Sequence, residues 1–487
     1  MKQSLWFLLL LLCLSGCAPA IQQSAPRPNI LLLIADDWSY PHAGVYGDRV
    51  VRTPTFDRLA AGGSLFEHAY CASPSCTPSR GAILTGRFPH QLESNGNLWS
   101  ALPKKFPNYV DLLEASGYWV GFSRKGWAPG DPAVGGYDRN PAGPRFQDFK
   151  DFFRKKKPDQ PFCFWFGSTD PHRVYRTNSG AESGMNRDDV TVPPIFPVDE
   201  RVRNDILDYY FEVERFDRDC GEIIRILDEA GQLDNTLVVM TSDNGMPFPR
   251  AKANVYDAGS RMPMVIHWPA RLSAQHLRDI FVSQTDLAPT FLAAAGLDIP
   301  EAMGGRNLLP MLDSPEDAQE DWNHTFIMRE RHANVRKGNR SYPVRAVRTA
   351  DYLYIRNLEP DLYPAGDPEV VMSVGQLGDV DNSITKFLIM DRGPEDSVYR
   401  LAFGKRPGEE LYDVQADPWQ LHNLAEDAEF ATTKTVLGAM LDRWMEETED
   451  LRLAGPTIYW DTVAYQVNDS HDNVDVKQRI QAYQMTH

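Results

Sequence analysis

The chain has 487 residues, 42% of them hydrophobic and 24% charged, with a formal net charge of -17. That length exceeds one ordinary domain and is enough for a deep core. The acidic surplus argues against non-specific nucleic-acid binding. It also repels polyanions at long range, so any anionic substrate must be held by a local cluster of cations.

In chain order, Lys2 precedes an apolar run from Leu5 to Leu14, too short for a comfortable membrane span. Leu14-Ser15-Gly16-Cys17 follows and resembles the bacterial lipobox. It implies that residues 1–16 are a signal removed before Cys17, that the Cys17 thiol is lipidated, and that 17–28 form a tether. A plain secretory signal with an incidental cysteine is the alternative. Either way the body is expected outside the cytoplasm, periplasmic or anchored in the outer membrane. Four cysteines remain: Cys71, Cys76, Cys163 and Cys220. They make no disulfide scaffold and lack zinc-site spacing.

Short apolar runs bounded by polar turns predict buried parallel strands at 29–35, 118–122, 162–166, 236–240 and 263–268. Helical spacing appears at 110–117, at 204–230 and at 285–296, the last capped by Thr285 or Asp286. Alternating strands and helices predict an α/β sheet covered on both faces, over residues 29–305. After about Gly305 the texture changes. Short strands at 345–349, 352–356 and 410–413, with a helix at 429–449, predict a smaller C-terminal α+β subdomain over 306–487 with an antiparallel sheet. Residues 360–381 read as a long loop.

In open α/β sheets, ligands sit beyond the carboxyl ends of the strands. Four predicted strands run into Asp36-Asp37, Arg124-Lys125-Gly126-Trp127, Asp170-Pro171-His172-Arg173 and Ser242-Asp243-Asn244-Gly245. Asp36, Asp37, Asp243 and Asn244 are hard oxygen donors, which suit Ca²⁺, or less well Mg²⁺, rather than zinc. Three adjacent carboxylates repel one another unless a cation lies between them. Taken singly, these residues could equally be helix caps and a tight turn.

Cys76-Thr77-Pro78-Ser79-Arg80, followed by Leu84-Thr85-Gly86, resembles the signature of type I sulfatases in the alkaline phosphatase superfamily. The resemblance runs from about Pro28 to Asp427. It implies a large mixed, mostly parallel sheet sandwiched by helices, with a C-terminal subdomain completing the pocket. It implies that a maturase oxidises Cys76 to formylglycine, whose hydrate attacks sulfur and then expels sulfate as the aldehyde re-forms. The implied calcium ligands are Asp36, Asp37, Asp243, Asn244 and the modified Cys76. Arg80 would hold the formylglycine, Lys125 and Lys252 would bind sulfate oxygens, and His172 would be the general acid, with Lys252 able to share that role.

One position departs from the pattern: Trp127 stands where the family has a histidine that serves sulfate release. His90 is the candidate replacement. The runs at 124–130 and 170–173 resemble bacterial relatives of sulfamidase, the heparan N-sulfatase. Candidate substrate contacts are Trp127, His90, Arg173 and the Arg329-Glu330-Arg331-His332 run, with Arg345 and Arg348 further along, although each taken singly reads more readily as a structural or solvated residue. The expected activity is exo-acting removal of sulfate from polysaccharide fragments. The rivals are a formylglycine-dependent phosphonate or phosphate-diester hydrolase, and an inactive glycan-binding lipoprotein.

Overall fold

The computed structural model describes residues 27–317 and 322–466. The predicted signal, Cys17 and all but the last residues of the tether lie outside them. No helix among the described residues is long and apolar enough to cross a membrane.

The main sheet has seven strands: β1 (Asn29–Ala35), β2 (Ser64–Tyr70), β3 (Trp119–Arg124), β4 (Phe162–Gly167), β5 (Thr236–Ser242), β6 (Arg261–His267) and β7 (Gln275–Ser283). Their order is β3-β4-β1-β5-β6-β2-β7. β1, β3, β4 and β5 run parallel, and every β1 and β5 residue is buried. Hydrophobic clusters cover both faces, one including Leu31, Leu33, Phe216 and Val238, the other Ile30, Leu32, Phe291 and Leu237.

The fifth predicted parallel strand is a correction. β6 pairs antiparallel with both β5 and β2. Between β5 and β6 lies only a loop with one short helix, Asp257–Ser260. A parallel return carries the chain across a face of the sheet, usually as a helix, and residues 243–260 instead stay at the rim, where Asp243, Asn244 and Lys252 contact Asp37. Here the chain turns at the rim and runs straight back. β2 and β7 escaped the reading because polar residues interrupt them: Glu67 and His68 in β2, Arg278 and Asp279 in β7.

The helix at Glu200–Glu229 begins earlier than its spacing indicated, with the Asp199 side chain accepting from the Arg201 N–H. The helix at Leu287–Ala294 follows a 3-10 turn, Gln284–Asp286. Asp286 is the N-cap residue of that helix, as expected, but makes no side-chain bond to it; the capping bonds belong to the 3-10 turn, where Ser283 Oγ accepts from the Thr285 N–H and the Asp286 carboxylate accepts from the Ser283 N–H at 2.9 Å.

The C-terminal sheet contains β8 (His324–Arg329), β9 (Val344–Thr349), β10 (Tyr352–Asn357) and β13 (Glu409–Asp413), all antiparallel in the order β13-β10-β9-β8. The intervening β11 (Val371–Met372) and β12 (Gly375–Gln376) make a small hairpin inside the predicted long loop. One face of the four-stranded sheet packs on the helix Ala431–Glu447 through Leu437, Leu441 and Trp444. The other joins Ile327, Val344 and Leu353 to Tyr70, Val255 and Phe281 of the main body.

Candidate active site

At the carboxyl end of β1, Asp37 takes a left-handed conformation, φ 80°. Asp is among the few side chains that tolerate it. The bend directs Asp36 and Asp37 at the end of β5. The Asp37 N–H donates to Asp243 Oδ1 at 3.2 Å, and Asn244 Nδ2 donates to Asp37 Oδ1 at 2.7 Å.

Helix α2 (Cys76–Thr85) opens on Cys76, and all ten of its residues are buried. Pro78 fits its first turn, where the missing N–H has no helical partner anyway. Gly86 stops it at φ 62°. Ser79 Oγ lies 2.6 Å from the Asp243 carbonyl oxygen, tying the helix to β5. Cys76 Sγ lies 3.4 Å from Asp36 Oδ1. Ligand atoms of Asp36, Asp37, Cys76 and Asp243 all lie within 4.8 Å of one another.

Cations close around this group. Arg80, one helical turn after Cys76, is fully buried; it donates through Nε to Asp243 Oδ2 at 2.8 Å and through Nη1 to the Lys125 and Gly126 carbonyls. Lys125 Nζ sits 2.7 Å from both Asp36 oxygens. Lys252 Nζ reaches Asp37 Oδ2 at 2.8 Å and Asp381 Oδ2 at 3.2 Å. His172 Nε2 is 3.8 Å from Asp37 Oδ2. Its Nδ1 is 2.6 Å from the Arg173 carbonyl, which can only accept, so Nδ1 donates there and Nε2 is the ring nitrogen turned toward Asp37.

Burial alone would raise the Asp36 carboxyl, but Lys125, His172 and Arg80 hold it well below the usual range. Burial raises Asp243 to about 6, against the pull of Arg80. Burial also pushes the Cys76 thiol well above its ordinary value.

The donor set fits a hard divalent cation. Three carboxylates converge with an amide, and Asn244 Oδ1 is buried without a hydrogen-bond partner. A buried acceptor of that kind calls for a partner, which a cation coordinated by oxygen provides.

Cys76, Lys125, His172 and Lys252 line one cleft of about 510 Å³. Trp99, Tyr465, Ser373, Val374 and Asp381 line it too, and sequence reasoning missed all five. No strand end or motif marks them. Asp381 alone had a trace, as an acid closing the polar loop 360–381.

Comparison with known proteins places this geometry. A model of the family described as Sulfatase matches residues 28–297, and one described as N-sulphoglucosamine sulphohydrolase, C-terminal, matches 250–364. The chain belongs to the sulfatase family. It is therefore a sulfuric ester hydrolase. It is 29% identical to human N-sulphoglucosamine sulphohydrolase, covering 92% of this chain and 94% of that protein. An ulvan-active sulfatase of Formosa agariphila is 27% identical, over 87% of this chain and 76% of its own length. Among solved structures, a protein in complex with its substrate D-glucosamine-2-N,6-O-disulfate superimposes with a TM-score of 0.64 at 18% identity, covering 88% of this chain and 100% of that one. The phosphonate monoester hydrolase of Agrobacterium radiobacter does so with 0.64 at 16%, covering 87% and 97%. At these identities the two structures speak for the fold alone.

The sulfatase brings Cys76, Arg80, Lys125, His172, Lys252 and the four oxygen ligands into one group, but most predicted substrate contacts lie elsewhere. Trp127 is 1% exposed, packed in the core, with Nε1 donating to Asn95 Oδ1 at 2.9 Å. His90 is buried against Trp444, with Nε2 2.9 Å from Thr448 Oγ1, and is not placed to replace the missing histidine. Arg331 is spent on the backbone carbonyls of Trp460 and Val463, pinning the C-terminal segment. Arg329 pairs with Asp379, Arg345 with Glu330 and Asp450, and Arg348 with Asp257. These arginines are buried because acids distant in sequence neutralise them. Arg173 lines the cleft, yet its guanidinium forks onto Asp205 at 2.6 and 2.9 Å. It anchors the loop that carries His172. His332 does line the cleft; its Nδ1 is 2.9 Å from Ser75 Oγ, and burial pushes its pKa down to about 3, so it is neutral.

Proposed function

We propose that this sulfatase removes sulfate from the ends of sulfated saccharides, with formylglycine made from Cys76 and a calcium ion held by Asp36, Asp37, Asp243 and Asn244. The observation that carries the reading is the position of Cys76. It opens α2 at the floor of the cleft, among three carboxylates and beside Arg80, Lys125 and Lys252. Calcium accepts such an all-oxygen donor set with flexible geometry, whereas magnesium demands a tighter octahedron and keeps its waters. Bound there, the ion would lower the pKa of an oxygen nucleophile and polarise a sulfate oxygen.

The chain's own residues do the rest. Lys125 and Lys252 present ammonium groups to the sulfate oxygens, which overcomes the long-range repulsion of an acidic protein. Arg80 neutralises charge from below and fixes Asp243. His172, its ring oriented by the Nδ1–H bond to the Arg173 carbonyl, would in its protonated form pass a proton from Nε2 to the leaving atom. Saccharide substrates are supported by the relatives, one acting on N-sulphoglucosamine and one on ulvan by their names. Exo action fits the volume of the cleft, about 510 Å³ with Trp99 and Tyr465 along its wall, which is enough for the end of a saccharide chain. The lipobox at Cys17 supports an exported, lipid-anchored protein that meets its maturase before it reaches the membrane surface.

The test is sulfate release from defined sulfated oligosaccharides by protein co-produced with a maturase. Cys76→Ala is expected to lose at least about 10³-fold in turnover while keeping its circular-dichroism spectrum. Faster hydrolysis of an aryl phosphate diester than of the matching aryl sulfate would overturn the sulfate assignment.

A further inference from the structure

We infer that Asp381 reads the sugar: its carboxylate accepts a hydrogen bond from an O–H or N–H donor that the saccharide presents beside the scissile sulfate. The inference rests on the saccharide sulfatase reading above and adds to it the group that recognises the uncharged part of the substrate.

Among the described residues lining the cleft, only Asp36 and Asp381 are carboxylates. Asp36 belongs to the cation-binding group and is held by Lys125. Asp381 lies outside that group. It accepts from Lys252 Nζ at 3.2 Å, and ligand atoms of Asp37, His172 and Asp381 lie within 4.8 Å of one another. So it stands within reach of the atom that His172 would protonate. Toward the sulfate itself such a residue is a liability. It repels the anion and engages one of the ammonium groups meant for it. A carboxylate can only accept hydrogen bonds, and the donors on a sulfated sugar are its hydroxyl and amino groups. The favourable contact open to Asp381 is therefore with the sugar.

Its position is held firmly. Asp379, two residues earlier, is buried and accepts from Arg336 Nη2 at 2.6 Å and from the Ala333 N–H at 2.7 Å, with Arg329 as a further donor. Lys386 Nζ donates to the Val380 carbonyl at 2.8 Å and to Asn382 Oδ1 at 3.1 Å. A recognition group gains from such support because little ordering is left for binding to impose. The remaining wall suits a sugar ring. Leu98, Trp99, Pro129, Val374 and Tyr465 offer apolar and aromatic surface, and the Trp99 and Tyr465 rings lie 5.8 Å apart at 26°.

The experiment compares wild type, Asp381→Ala and Asp381→Asn on three probes: glucosamine N-sulfate, glucosamine 6-O-sulfate and 4-methylumbelliferyl sulfate, whose aryl ring has no donor. For the saccharide that wild type turns over, Asp381→Ala is expected to lower kcat/KM by about 10–100-fold, mostly through KM. The loss on the aryl sulfate should be under about 5-fold, and Asp381→Asn, which keeps one acceptor oxygen, should recover part of the difference. Loss on the N-sulfate points to the sulfamate N–H or a neighbouring hydroxyl, and loss on the 6-O-sulfate alone to the free amino group that only this saccharide carries or to a hydroxyl near C6. Free glucosamine provides a second readout: as an inhibitor of aryl sulfate hydrolysis it should weaken by a similar factor in Asp381→Ala. Equal losses on saccharide and aryl sulfate would mean that Asp381 acts through Lys252, and would overturn the inference; so would no loss. Wild type inert toward all three probes would count against the saccharide reading instead.

Discussion

Trp127 shows how far a single position carries. Its motif context implies a histidine that meets the nucleophile, and the tryptophan there reads as a gap in the machinery. In the fold, the indole is a core residue, bonded to Asn95 and packed among Phe122, Trp165 and their neighbours. Restoring the family residue should therefore not restore its role. Trp127→His is expected to cost about 2–4 kcal/mol, from the cavity left by the smaller ring and a weakened partner for Asn95, with no gain in sulfate release. Urea unfolding beside a turnover assay checks both parts. Arg331 and Arg345 teach the same lesson in reverse. Each can be read as a substrate cation or as a structural residue, and the fold decides for structure, giving Arg331 to backbone carbonyls and Arg345 to Glu330 and Asp450.

At the scale of elements, helix α1 (Pro54–Ala61) is capped from a distance. Its Thr55 and Phe56 N–H groups donate to Asp217, on the helix Glu200–Glu229, at 2.9 and 2.8 Å. Burial raises the Asp217 carboxyl to about 6, despite those two hydrogen bonds. The folded protein therefore binds a proton more tightly than the unfolded chain. The sign follows: below about pH 4 both states are protonated and Asp217 costs nothing, while between about pH 4 and 6 stability falls as pH rises. Asp217→Asn removes that slope. Relative to wild type, the variant is expected to gain about 2–3 kcal/mol on going from pH 4 to pH 7, measured by chemical denaturation at each pH.

For the whole molecule, the C-terminal sheet and the main body share a hydrophobic cluster joining Tyr70 and Phe281 to Ile327 and Leu353, so the two parts should unfold together. The acidic group proposed to hold calcium sits between β1, α2 and β5, and an ion bound there would stabilise the folded state alone. Chelation is expected to abolish sulfate release and to lower the single melting transition. Returning Ca²⁺ at about 100 times its dissociation constant should restore about 2.7 kcal/mol. Calorimetry with and without chelator reads this directly; two separated transitions would argue against the shared core.

The sequence alone determined the parts of this protein whose information is local. Continuous apolar runs announced β1, β3, β4 and β5, because strands buried on both faces need no alternation. The residues just past those runs announced the oxygen donors and two of the cations, since parallel strands deliver their ends to one rim. The cysteine motif announced the sulfatase family, because its residues are contiguous at the start of one helix. Tertiary structure decided whatever depends on partners far along the chain. It turned β6 antiparallel for want of a crossover, and completed the sheet with β2 and β7, whose polar residues hid them. It buried Arg329 and Arg336 against Asp379, and Arg345 against Glu330 and Asp450. It also brought Trp99, Asp381 and Tyr465 from three distant segments to the cleft that Cys76 lines. A charge buried beside its counter-charge and a charge facing substrate look the same in one dimension. Only the fold distinguishes them.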